Sequence, residues 1–172
     1  MRLLAMALTV LAAGWIATSR APSVEAAETA TEAKILLTVT GRIAAQNGSE
    51  RATFDLAALR AMPKTTFQTA TIWTEGRPTF TGVSLRVLLD AVGASGRSIH
   101  AVALNDYAVD IPATDAVEGG PIVAYEIDGK ALPVRNRGPL WIVYPYDARA
   151  DYRSEVIYAR SIWQLDRIDI RD

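Results

Sequence analysis

The chain has 172 residues, half of them apolar, enough for a single ordinary core and short for two domains. Its 18 basic residues against 19 acidic ones argue against a nucleic-acid binder, which normally carries a basic surplus. It contains no cysteine, which excludes disulfides, thiolate nucleophiles and every thiolate-ligated metal.

The N-terminus has the pattern of an export leader. Arg2 is the short positive region, residues 3–17 form an apolar run of 15, and Val24-Glu25-Ala26 precedes the expected cleavage point. The run falls short of the roughly 20 residues a spanning helix needs, and Arg20 and Pro22 end it. A signal peptide over residues 1–26 and a periplasmic mature protein are therefore expected. Cleavage would leave 16 basic and 18 acidic residues, and residues 27–33, rich in Ala, Glu and Thr, are expected to form a flexible tail.

Beyond the tail the elements are short. AKILLTVTGRI (33–43) predicts a first strand followed by a turn at Gln46-Asn47-Gly48. In DLAALRAMP, Asp55 is a candidate N-cap, Leu56, Leu59 and Met62 share a face, and Pro63 is a stop. TTFQTATIW (65–73) alternates as a strand. SLRVLLDAVG predicts a helix capped by Ser84, with Leu85, Leu88, Leu89 and Val92 on its buried face and Gly93 ending it.

The second half is expected to be mostly strand. SIHAVALNDYAVDIP gives two strands joined at Asn105-Asp106, and IVAYEIDGKAL a hairpin turning at Asp128-Gly129. PLWIVYP predicts a buried strand and SIWQLDRIDI a last one, whose apolar phase shifts between Leu165 and Ile168 as at a bulge. Strands outnumber helices without alternating with them, so the expected class is α+β.

Four loops gather polar and aromatic residues: Trp73 with Glu75 and Arg77, Asn105-Asp106-Tyr107, Arg135 with Arg137, and Tyr144 to Asp147. Each has a plain alternative. A tryptophan such as Trp73 is more often core than ligand platform, Asp106 serves as a turn residue, and the two arginines as an exposed hairpin edge. His100 has no second histidine to act with, Ser84 is committed as a cap, and no G-x-S-x-G elbow exists.

In their order, these segments resemble the molybdopterin-binding domain of sulfite-oxidase-type oxidoreductases, over roughly residues 35–170. The most specific parts are FTGVSLRVLL (80–89), Asp106-Tyr107 followed by Ile111-Pro112, and Gly138-Pro139-Leu140 with Tyr144-Pro145. The resemblance implies a single-domain sulfite-oxidase-like α+β fold over residues 34–172 and a pterin-containing ligand. Enzymes of that family hold molybdenum through a cysteine thiolate where this chain has Ala70-Thr71-Ile72-Trp73, and a threonine hydroxyl is a poor substitute.

The chain is most similar to small exported members without that ligand, for which regulation of membrane-bound cyclic-di-GMP enzymes by pterins has been proposed. On this resemblance Trp73 stacks on a pterin and Asp106 or Glu75 pairs with its amino-pyrimidine edge. Asn105, Tyr107, Arg77, Arg135, Arg137 and Tyr144 would complete the pocket. A ligand that is a pterin and not the molybdenum cofactor, with a membrane-bound cyclic-di-GMP enzyme or sensor kinase as partner, is the leading expectation. An oxidoreductase with a non-cysteine metal ligand and a ligand-free partner-binding domain are the alternatives.

Overall fold

The computed structural model describes residues 34–44 and 50–172. The predicted leader and tail, and the turn at Gln46-Asn47-Gly48, fall outside these. Among the described residues no helix is long and apolar enough to cross a membrane.

Among the described residues, ten strands form two five-stranded sheets. The first joins β2 (Ala52–Phe54), β1 (Leu37–Gly41), β10 (Leu165–Arg171), β5 (Ser98–Ala103) and β6 (Ala108–Pro112) in that order. All its pairs are antiparallel except β1 with β10, which places the first and last strands side by side. In the second sheet β3 (Lys64–Gln68) pairs with β4 (Thr79–Ser84), and β4 with β7 (Ile122–Ile127). The two short strands β8 (Lys130–Ala131) and β9 (Trp141–Val143) share the other edge of β7. One apolar cluster draws side chains from both sheets, among them Leu37, Ile99 and Ile168 from the first and Phe80, Val123 and Ile142 from the second.

Local chemistry explains the boundaries. Helix α1 (Leu56–Ala61) begins where the Asp55 carboxylate accepts the Ala58 N–H at 2.7 Å, and ends at Met62, held extended by the following proline. Helix α2 (Leu85–Ala91) buries Leu85, Leu88 and Leu89 and is closed by Gly93 at φ +60°. Ser84 stands at its N-cap, but its hydroxyl makes no capping bond. The Leu85 N–H is instead taken by the Pro121 carbonyl at 2.9 Å, because the helix follows directly from a paired strand. Asp128 and Gly129, at φ +50° and +73°, make the predicted tight hairpin, and a register shift between Leu165 and Arg167 is the predicted bulge.

Two expectations change. The predicted strand 65–73 stops at Gln68: Thr69 leaves the ladder, and residues 69–78 form a loop. The second half also holds helix α3 (Glu155–Arg160), with single 3₁₀ turns at Ala113–Asp115 and Ala150–Tyr152. Only Ile157 of α3 is buried, so no apolar stripe betrays this helix in the sequence.

Candidate functional site

A cleft of about 450 Å³ opens where the 69–78 loop, the β5–β6 turn and α3 meet. The loop contributes Trp73; the end of β5 and its turn contribute Ala103, Asn105 and Tyr107. Tyr158 and Ala159 come from α3, and Ser161, Ile162 and Trp163 from the link into β10. Aromatic rings make much of the wall, and no side chain on it carries a formal charge at neutral pH.

Trp73 sits at the centre of an aromatic cluster. Its ring centroid lies 5.7 Å from Trp141, 5.6 Å from Trp163, 5.7 Å from Tyr158 and 6.3 Å from Tyr146, all in edge-on geometry. It is half-buried, packs on the core and also lines the cleft.

The loop that carries it is fastened from below. Asp147 accepts the Ala70 N–H at 2.9 Å and pairs with Arg77 at 3.1 Å, while its own N–H goes to the hydroxyl of the fully buried Thr69 at 3.1 Å. Within the loop, the Thr71 hydroxyl takes the Trp73 N–H at 3.0 Å and pairs with the Thr74 hydroxyl at 2.8 Å. These bonds set the backbone that aims the indole.

The cleft floor is a closed polar network. Ser161 is buried; its Oγ accepts from the Tyr146 hydroxyl at 2.6 Å and donates to the Ile157 carbonyl at 2.8 Å. Its carbonyl accepts the Trp141 indole N–H at 3.1 Å. Burial pushes the Tyr146 hydroxyl well above the usual phenol range, with the Ser161 bond acting the other way, so it stays a donor. Tyr146→Phe strands no buried donor and should cost only about 1 kcal/mol in urea unfolding. A loss above about 3 kcal/mol would mean that the network does more than close the floor.

Of the residues expected in the pocket, Trp73, Asn105 and Tyr107 come together on its wall and the others do not. Asp106 takes a left-handed backbone at φ +63° and pairs with Arg167 on another face of the turn. The turn bond expected of it is made by Asn105, whose Oδ1 accepts the Tyr107 N–H at 3.2 Å. Glu75 and Arg77 lie on the exposed side of their loop, Arg77 drawn to Asp147. Arg135 is exposed, and Arg137 lays its guanidinium over Trp141 and Trp163, 5.6 and 5.9 Å from their ring centres, beside the cleft and not in its lining.

Tyr144 is fully buried and donates to Asp115 at 2.7 Å, and Asp115 also pairs with Arg160 of α3 at 2.9 Å. Burial first, then that bond, raises its pKa far beyond the phenol range. It therefore braces α3 and cannot touch a ligand. His100 pairs with Asp110 at 2.8 Å on the first sheet.

The profile of the oxidoreductase molybdopterin-binding domain family matches residues 25–150, most of the chain. The chain belongs to that family. No curated protein matches it significantly. Members of the family bind a molybdopterin-type cofactor, and five residues of the cleft wall, from Tyr158 to Trp163, lie past the matched stretch.

The two parts of such a cofactor fare differently against the residues present. The neutral aromatic cleft suits a flat bicyclic ring. The 70–73 loop has no soft donor for the metal, and its Thr71 hydroxyl is already committed to the loop's own turn. Among the described residues no three His, Asp or Glu side chains converge to replace it. The residues thus fit the ring and do not fit the thiolate-held metal.

Proposed function

We propose that this protein binds a pterin in the Trp73 cleft without molybdenum chemistry, and relays the bound state to a membrane-bound signalling partner, a cyclic-di-GMP enzyme or sensor kinase, in the periplasm. The observation that carries the ligand is the uncharged cleft walled by Trp73, Tyr107, Tyr158 and Trp163 in a member of a molybdopterin-binding family. The family match starts only at residue 25, and the export-like residues before it support the compartment.

A relay needs a surface, and the cleft mouth supplies apolar ones. Ile72, Leu104, Tyr107, Val134 and Trp163 are exposed, and Tyr107 and Trp163 among them line the cleft. Each lines the cleft, adjoins a lining residue in sequence or, for Val134, bonds through its carbonyl to Gln164 beside Trp163. Exposed apolar groups beside a cleft are the kind of surface a protein partner covers.

Protein purified from its own host should quench added pterin fluorescence saturably, at about one ligand per chain, and carry no stoichiometric molybdenum. Absence of saturable binding would remove the ligand reading. About one molybdenum per chain would instead favour an oxidoreductase with an unforeseen ligand set.

A further inference from the structure

We infer that the free edge of the second sheet is a self-association surface, where β3 pairs antiparallel with β3 of a second copy of this chain about a two-fold axis at Thr66. None of its residues lines the cleft.

Hydrogen bonds fix which way the backbone of β3 faces. The Thr69 N–H reaches the Pro78 carbonyl at 3.3 Å, and on the far side of β4 the Asp128 N–H reaches the Thr79 carbonyl at 2.8 Å. In an antiparallel ladder the direction alternates residue by residue, so Thr65 and Phe67, opposite Gly82 and Phe80, are the residues that bond β4. Lys64, Thr66 and Gln68 therefore point their N–H and carbonyl groups away from the sheet. All three are exposed, and among the described residues none of these outward groups meets a partner. Their side chains leave the edge open: the Thr66 hydroxyl pairs with that of Thr81 and the Gln68 amide donates to the Thr79 hydroxyl, each at 3.1 Å.

The other outer strands are protected, as sheet edges usually are. β2, β8 and β9 are only two or three residues long, and β6 has Asp110 at its middle, Pro112 at its end and α3 packed beside it. β3 has five residues, no register shift against β4, no proline and no charge beyond Lys64 at its first position.

The sequence Lys64-Thr65-Thr66-Phe67-Gln68 suits itself as a partner. With Thr66 opposite the partner's Thr66, Lys64 falls opposite the partner's Gln68, so no like charges meet and a favourable threonine pair stands on the axis. In that register the outward residues of each strand all face outward residues of the other, and every free donor finds an acceptor. Sliding either strand by two residues leaves some of them unpaired. On the core side Phe67, half-buried, gains the partner's Thr65 as its cross-strand neighbour.

Two five-residue strands make a small contact, so the dimer should be reversible and form at high concentration. In sedimentation equilibrium of the native protein, the average mass should rise from one chain toward two between about 5 and 500 µM. Thr66→Lys sets two like charges face to face and should weaken the dimer at least about tenfold at low salt, with part of the loss recovered at high salt. Thr66→Pro removes an N–H that β4 does not use and should stay folded and monomeric.

A crosslink tests the register, since the chain has no cysteine of its own. Thr66→Cys should form an intermolecular disulfide on oxidation, because Cα atoms opposed in such a pair stand about 5.5 Å apart. Gln68→Cys, whose opposite residue is the partner's Lys64, should link far less. A parent that stays monomeric throughout, a dimer that Thr66→Lys leaves unchanged, or equal crosslinking at the two positions overturns the inference.

Discussion

Trp73→Ala is expected to lose both stability and ligand. Removing an indole that meets four rings leaves a void the surrounding rings cannot fill, at a cost of about 3 kcal/mol, the low end for tryptophan because this one is half-buried. For a domain of this size that lowers the melting temperature by roughly 6–12 °C. Pterin affinity should fall by about 2 kcal/mol or more, since the same ring is a wall of the cleft. Trp73→Phe separates the two effects: it refills most of the void and should recover most of the stability while still binding weakly. Unfolding and titration on one sample decide the matter. A Trp73→Ala protein that melts like the parent and binds as tightly would move the site elsewhere.

Gly82→Ala should be at least as damaging, for a different reason. A methyl group built there would stand 2.2 Å from the Val123 carbonyl oxygen and 2.6 Å from the Ala124 Cα. Both are backbone atoms of β7, so no side chain can swing aside, and the register shift between Thr81 and Gly82 shows where the two strands depart from regular pairing. We expect a loss of roughly 3 kcal/mol or more, measured by denaturant unfolding, with β4 and β7 pushed apart. A midpoint within experimental error of the parent would mean that the strands separate at no cost. Gly76, whose added methyl would touch nothing, is the natural comparison, its only penalty being a left-handed φ of +64°.

The elements that a reader of the sequence could place are those whose signal is local. Asp55 capping α1, the Asp128-Gly129 turn and the bulge after Leu165 each follow from a few adjacent residues, and each stands where expected. The site was legible only in part. Trp73, Asn105 and Tyr107 lie in loops whose composition marks them, but the direction of each side chain is set by distant partners. Asp106 was unreadable because its fate is decided by Arg167, 61 residues away, and Tyr144 because Asp115 and Arg160 claim its neighbourhood. Tyr158 escaped because α3 is six residues long and buries only one of the six, too little for any periodicity to show, and Trp163 because it falls in the link before β10, which begins only at Leu165, where the sequence predicts strand.

The parallel pairing of β1 with β10 bears on how the molecule is made. β10 lies between β1 and β5, so the middle of the first sheet is missing until residues 165–171 have arrived. The contacts that close it span some 129 residues of chain, as where the Thr40 hydroxyl meets the Asp169 carboxylate. Such closure is entropically slow, and a nascent chain would expose the flanks of β1 and β5 throughout synthesis. Assembly of the first sheet therefore waits on its last strand, so deleting residues 165–171 should cost the sheet its middle.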